Sequence, residues 1–166
     1  MKITLFFTTF LISAFSYSQE LKTVKTSDYE ISYPTKLRFD DSKIYNSEFV
    51  ILTEKEGEND AFIENINLLI QNLKGYKIDL NQYVKISEGQ VNKNGELIES
   101  KRVNLNNSEI HILSYKANLN GNDLKFYQYL LIKNEKAFVL TYTAEIDKFD
   151  IFFPEIIKIF NSFSLK

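Results

Sequence analysis

The 166-residue chain has no cysteine and no tryptophan, only two prolines and five glycines, and a single histidine. Without cysteine there is no disulfide, no thiol nucleophile and no lipid attached through an N-terminal cysteine, so the fold must be held by its core alone. One histidine argues against a transition-metal site and leaves any His-dependent catalytic triad to His111. There is no Gly-x-Ser-x-Gly elbow, no phosphate-cradling glycine loop and no His-Glu-x-x-His pair. Charge of one sign is also lacking. Twenty basic residues face 22 acidic ones, interspersed, for a net charge of −2. That balance carries no electrostatic footprint for nucleic acid or anionic lipid.

What is abundant is ring: 14 Phe and 10 Tyr supply the core. The chain opens with Met1-Lys2, an apolar run from Ile3 to Phe15, and small residues at Ser16 and Ser18. One positive charge, a short apolar stretch and small residues at minus three and minus one predict a secretory signal over residues 1–18, cleaved before Gln19. The run is short of the roughly 20 residues a bilayer span needs, and nothing downstream approaches that length. The expectation is an exported protein, periplasmic or secreted, soluble after cleavage, with one domain over residues 19–166.

After a polar leader (Glu20 to Thr26), Tyr29-Glu30-Ile31-Ser32-Tyr33 alternates and stops at Pro34, which predicts an edge strand. A short strand near Lys36 to Phe39 and another over Ser47 to Glu54 follow. Ala61 to Leu73 reads as strand or helix, with the balance toward strand. Asp79 is placed to cap a helix running to Val91, and Asn94-Gly95 is a turn signal. Four strands are then expected, including Leu124 to Ile132 and Ala137 to Tyr142 joined through the short polar Lys133-Asn134-Glu135-Lys136. The last two are apolar on both parities, so both faces of their sheet must be covered. Phe149, Phe152, Phe153, Ile156, Ile157 and Phe160 recur at helical spacing and form one covering face. Pro154 either begins that helix or sits inside it. The fold class expected is α+β, a mainly antiparallel sheet sandwiched between helices in α/β/α layers.

Several of these stretches, taken together, resemble the PsbP-like superfamily. They are Tyr29 to Pro34, Ile63 to Leu68, the helix from Leu80 to Val91, Ala137 to Ala144, and the tail through Phe149 and Pro154 to Phe163. The resemblance spans residues 27–166 and rests on core and turn residues. It implies the sandwiched antiparallel sheet, a strand at Ala61 to Leu73, and action through protein surfaces as an accessory or assembly factor. No catalytic, metal or partner-binding residue carries over, and a photosynthetic role is not implied.

No catalytic, cofactor or metal residue is therefore expected. The acidic loop Glu54 to Asp60 is the one stretch with the carboxylates a hard cation wants, but Lys55 interrupts it and its spacing misses the calcium-loop pattern. The expectation is a solvated charged loop rather than a cation site. His111 shares a strand face with Glu109 and Leu113, and a cleft joining it to a carboxylate and a hydroxyl would revive a hydrolase. The expectations are a non-enzymatic module with a protein partner in the envelope or secreted fraction or, alternatively, a binder of a small apolar or amphipathic ligand held between sheet and helix.

Overall fold

The computed structural model describes residues 20–58, 60 and 62–166. The signal segment expected over residues 1–18 lies outside them. The framework is a run of hairpins: β6 (Gly95–Leu105), β7 (Ser108–Leu119), β8 (Asn122–Lys133) and β9 (Lys136–Glu145). Each joins the next through two residues at positive φ, namely Asn106 and Asn107, Asn120 and Gly121, Asn134 and Glu135. That backbone twists with the strands it connects, and asparagine and glycine enter it at least cost. The expected β8–β9 turn is thus observed, with Lys133 opposite Lys136. Two like charges meet at the hairpin end, and Lys136 is drawn onto both oxygens of Asp28 at 2.8 and 2.9 Å.

β5 (Asn65–Asn72) adds to the other side of β9, followed by β4 (Phe49–Leu52) and β3 (Arg38–Asp40), giving seven strands in the order β3-β4-β5-β9-β8-β7-β6, every pair antiparallel. The ambiguous stretch is a strand, as the balance of its pattern indicated. A second sheet has the order β1-β2-β10, from β1 (Leu21–Lys25), β2 (Tyr29–Pro34) and β10 (Ser164–Leu165). Here two expectations are corrected. Glu20 to Thr26 is no loose leader, because Leu21–Lys25 pairs in register with Lys25↔Glu30 through Leu21↔Pro34. Its side chains are mostly exposed, which is why no apolar alternation announced it. β2 is consequently the middle strand and not an edge; Pro34 is tolerated because β10 pairs only at Tyr29 and Glu30.

Two α-helices among the described residues complete the α+β architecture. α1 (Leu80–Asn94) begins in a capping box: Asp79 accepts from the Gln82 amide at 2.8 Å and Gln82 accepts from the Asp79 amide at 3.0 Å. It runs through the Asn94 turn signal straight into β6, so Asn94-Gly95 makes no hairpin. Gly95 is extended, at φ −161°, and its need for glycine is steric. A Cβ there would lie 2.3 Å from the Lys116 carbonyl oxygen. α2 (Ile146–Ser162) runs continuously through Pro154, so the reading in which the helix starts at the proline is excluded. No helix among the described residues is long and apolar enough to cross a membrane.

Strand alternation divides the apolar residues of the large sheet between two clusters. Tyr127, Tyr129, Phe138, Leu140 and Tyr142 pack with Phe149, Ile156 and Phe160 of α2 and with Tyr29, Ile31 and Tyr33 of the small sheet. The opposite parity, Leu113, Leu130 and Val139, packs with Val84 and Val91 of α1. Replacing Gly95 by alanine forces a methyl group onto β7 backbone. The expected result is a loss of about 1–3 kcal/mol in unfolding free energy, measured by chemical denaturation, whereas alanine at Gly89, inside α1 where a Cβ would meet open space, should stabilise by about 0.5–1 kcal/mol.

Candidate functional site

α1 is narrower than the sheet face it lies on. Between its inner side and strands β5, β7, β8 and β9 a groove of about 320 Å³ remains. Leu113, Leu130 and Val139 form its floor, and Val91 with Tyr83 lines its helix side. Tyr115 and Phe126, neighbours across β7 and β8, stack with ring centroids 4.6 Å apart and planes 8° from parallel. Burial pushes the Tyr115 phenol up to about 12, so it stays protonated. The groove's polar groups are the amides of Gln71, Gln90, Asn94 and Gln128, the Ser87 hydroxyl and the Tyr83 and Tyr115 phenols. Gln71 accepts from the Tyr83 hydroxyl at 2.8 Å, and Gln128 donates to Thr141 at 3.1 Å.

On the other side of α1 two contacts hold the helix to the sheet edge. Arg102 on β6 donates to Asn81 at 2.7 Å and to Glu109 at 3.0 Å. Beside it the Ser100 hydroxyl lies 2.5 Å from a Glu88 oxygen and 2.7 Å from His111 Nε2. The structure therefore does join His111 to a hydroxyl and a carboxylate, yet in the wrong order for nucleophilic catalysis. In a triad the imidazole stands between hydroxyl and carboxylate and takes the hydroxyl proton. Here the serine stands in the middle, and the short contact directs its proton to Glu88. Nε2 then donates to the serine, and Nδ1 is buried with no partner among the described residues. Burial, helped by the Arg102 charge, holds the His111 pKa below its ordinary value, outweighing the opposing pull of Glu88. The imidazole is neutral at physiological pH and works as a strut. An alkyl fluorophosphonate is accordingly expected to leave Ser100 unlabelled in intact-protein mass spectrometry; a stoichiometric adduct there would show an activated hydroxyl instead.

The acidic loop lies against α2. Its carboxylates are gathered by a cation of the protein itself: Lys148 pairs with Glu56, lies 3.6 Å from Asp60, and reaches Glu145 at 3.6 Å. The loop is closed by Thr53, whose amide and hydroxyl both donate to the Glu64 carbonyl. Among the described residues no three His, Asp or Glu side chains are grouped to hold a metal ion. Composition had no way to show Glu64, which follows the loop. Its side chain is fully buried, and neither carboxylate oxygen has a hydrogen-bond partner among the described residues. Desolvation raises its pKa, opposed first by its own backbone N–H and then by the Lys148 charge. The folded state therefore holds that proton more tightly than the unfolded chain, a stabilisation complete below the ordinary Glu range and lost as pH rises through the raised value. Glu64→Gln should raise the denaturation midpoint at neutral pH, and its advantage over wild type should shrink on acidification.

No protein-family model matches the chain, and no curated protein matches it. Solved structures do. A solution structure of cyanobacterial PsbP (CyanoP) from Synechocystis sp. PCC 6803 is similar at a TM-score of 0.63 and 15% identity, covering 94% of this chain and 98% of that one. LpqN, involved in cell envelope biogenesis of Mycobacterium tuberculosis, is similar at 0.62 and 14% identity, covering 89% and 91%. PA94 of Pseudomonas aeruginosa, a protein of unknown function, is similar at 0.61 and 11% identity, covering 86% and 94%. At such identities the likeness is one of architecture, and the chain has a PsbP-like fold.

Proposed function

We propose that the chain is an exported, non-enzymatic binding module whose groove between α1 and the large sheet receives a small amphipathic ligand. The groove itself carries this reading. It is concave, floored by leucine and valine, and edged by a few amides and phenols, the usual make-up of a small-molecule site. We read the packing of α1 and α2 on opposite strand parities as α/β/α layering, with the small sheet extending the α2 side. That layering accounts for a groove beneath the shorter helix. Export rests on Lys2, the apolar run from Ile3 to Phe15, and Ser16 and Ser18. The non-enzymatic reading is supported by the serine-centred order of Glu88, Ser100 and His111.

A second reading keeps the accessory role and gives the surface to a protein partner in the envelope or secreted fraction. The fold shared with LpqN, whose own role is in envelope biogenesis, favours it. Exposed large apolar residues such as Leu21, Tyr76 and Ile151 sit on separate elements, which is weak support for one docking patch.

Native mass spectrometry of the full-length protein, expressed in a bacterial host and purified without detergent, separates the readings. The expected spectrum shows a small-molecule adduct that is lost in Gln90→Trp, a change at an exposed helix position that narrows the groove. An adduct-free protein that instead captures one envelope protein, and loses it when a single surface patch is charged, would establish the second reading.

A further inference from the structure

The charge of the ligand can be argued from the groove walls. Among the described residues, not one of the sixteen that line it is Asp, Glu, Lys, Arg or His. In a chain with 42 charged side chains, that exclusion is achieved by placement. Lys116 and Lys125 belong to the same strands, β7 and β8, but take the opposite parity; Lys125 is held over the Phe149 ring at 4.0 Å and pairs with Asp150. Glu88 of α1 is engaged with Ser100 and turned toward β6.

What remains for polar recognition is neutral and two-sided. The Gln71 carbonyl is taken by Tyr83, so its amide N–H groups are its remaining donors. The Gln128 amide nitrogen is taken by Thr141, so its carbonyl is left as an acceptor. Gln90 and Asn94 add donors and acceptors at the helix side. A hydroxyl both donates and accepts, and suits such a wall. A carboxylate, sulfate or ammonium would lose much of its hydration in the groove with no opposite charge to replace it.

We infer that the groove selects an uncharged amphiphile, a hydrocarbon body over the Leu113, Leu130 and Val139 floor with a hydroxyl-bearing head among the amides. This rests on the ligand reading of the groove and adds the head-group class to it. The test uses the full-length protein and three probes with the same octyl chain below their micellar concentrations: octyl glucoside, octyl sulfate and octyltrimethylammonium. Titration calorimetry is expected to give octyl glucoside at least about tenfold tighter binding than either ion, and Gln90→Lys, folded by circular dichroism, should shift preference toward octyl sulfate. Equal or tighter binding of an ionic probe to the wild type would overturn the inference while leaving the ligand reading in place. Binding of no probe, with no adduct in the native spectrum, would overturn both.

Discussion

The constraint on which the rest depends is the apolar character of β8 and β9 on both parities. Phe138, Leu140 and Tyr142 face one way, and Val139 faces the other. A sheet built on such strands is stable in water only when both faces are covered. One face receives abundant cover: α2 supplies Phe149, Ile156 and Phe160, and the small sheet adds Tyr29, Ile31 and Tyr33. Among the described residues the other receives α1, whose buried contribution is Val84 and Val91. The asymmetry of the two helices is therefore the origin of the groove. Thr141 and Gln128 soften the same face where the helix does not reach, bonding each other across β8 and β9.

Because α1 is the element that closes that face among the described residues, its attachments matter more than its propensity. An isolated helix of its length is marginal in water. Asp79 and Gln82 fix its start, the Arg102 and Ser100 contacts fix the side toward β6, and the Tyr83 to Gln71 bond fixes the side toward β5. The end is fixed by close approach, since Gly95 brings the chain against Lys116 with no room for a side chain. His111 belongs to this set of supports. A neutral imbalance at Nδ1 is tolerated there, whereas a nucleophilic serine would need the proton path reversed.

Much of the framework was legible in the sequence because it is written in local chemistry. The polar turn at Lys133 to Lys136, the Asp79 cap and the period of Phe149 to Phe160 each specify their element within a few residues. What escaped depended on distant partners. β1 is exposed, and only its pairing with β2 makes it a strand. β2 became a central strand because Ser164 and Leu165, more than 130 positions later in the chain, return to pair with it. The same holds for the site. His111 was singled out as the one imidazole, but its neighbours Ser100 and Glu88 come from β6 and α1, and their order along the hydrogen-bond chain cannot be inferred from spacing.

The two buried polar centres differ in what they ask of the fold. Glu64 sits near Lys148, which offsets part of the cost of its charge without bonding it directly. Its burial falls on the side that α2 covers, where Lys148 of that helix is the nearby cation. On the α1 side the protein does the reverse: no charged side chain among the described residues lines the groove, and Glu88 and Arg102 are confined to the outer margin. A face meant only to be sealed would gain from more apolar bulk on α1, where Ser87 and Gln90 now stand. Amides and hydroxyls at those positions leave the sheet imperfectly covered at a cost in core stability, and a groove that receives a neutral, hydroxyl-bearing molecule gives that sacrifice a use.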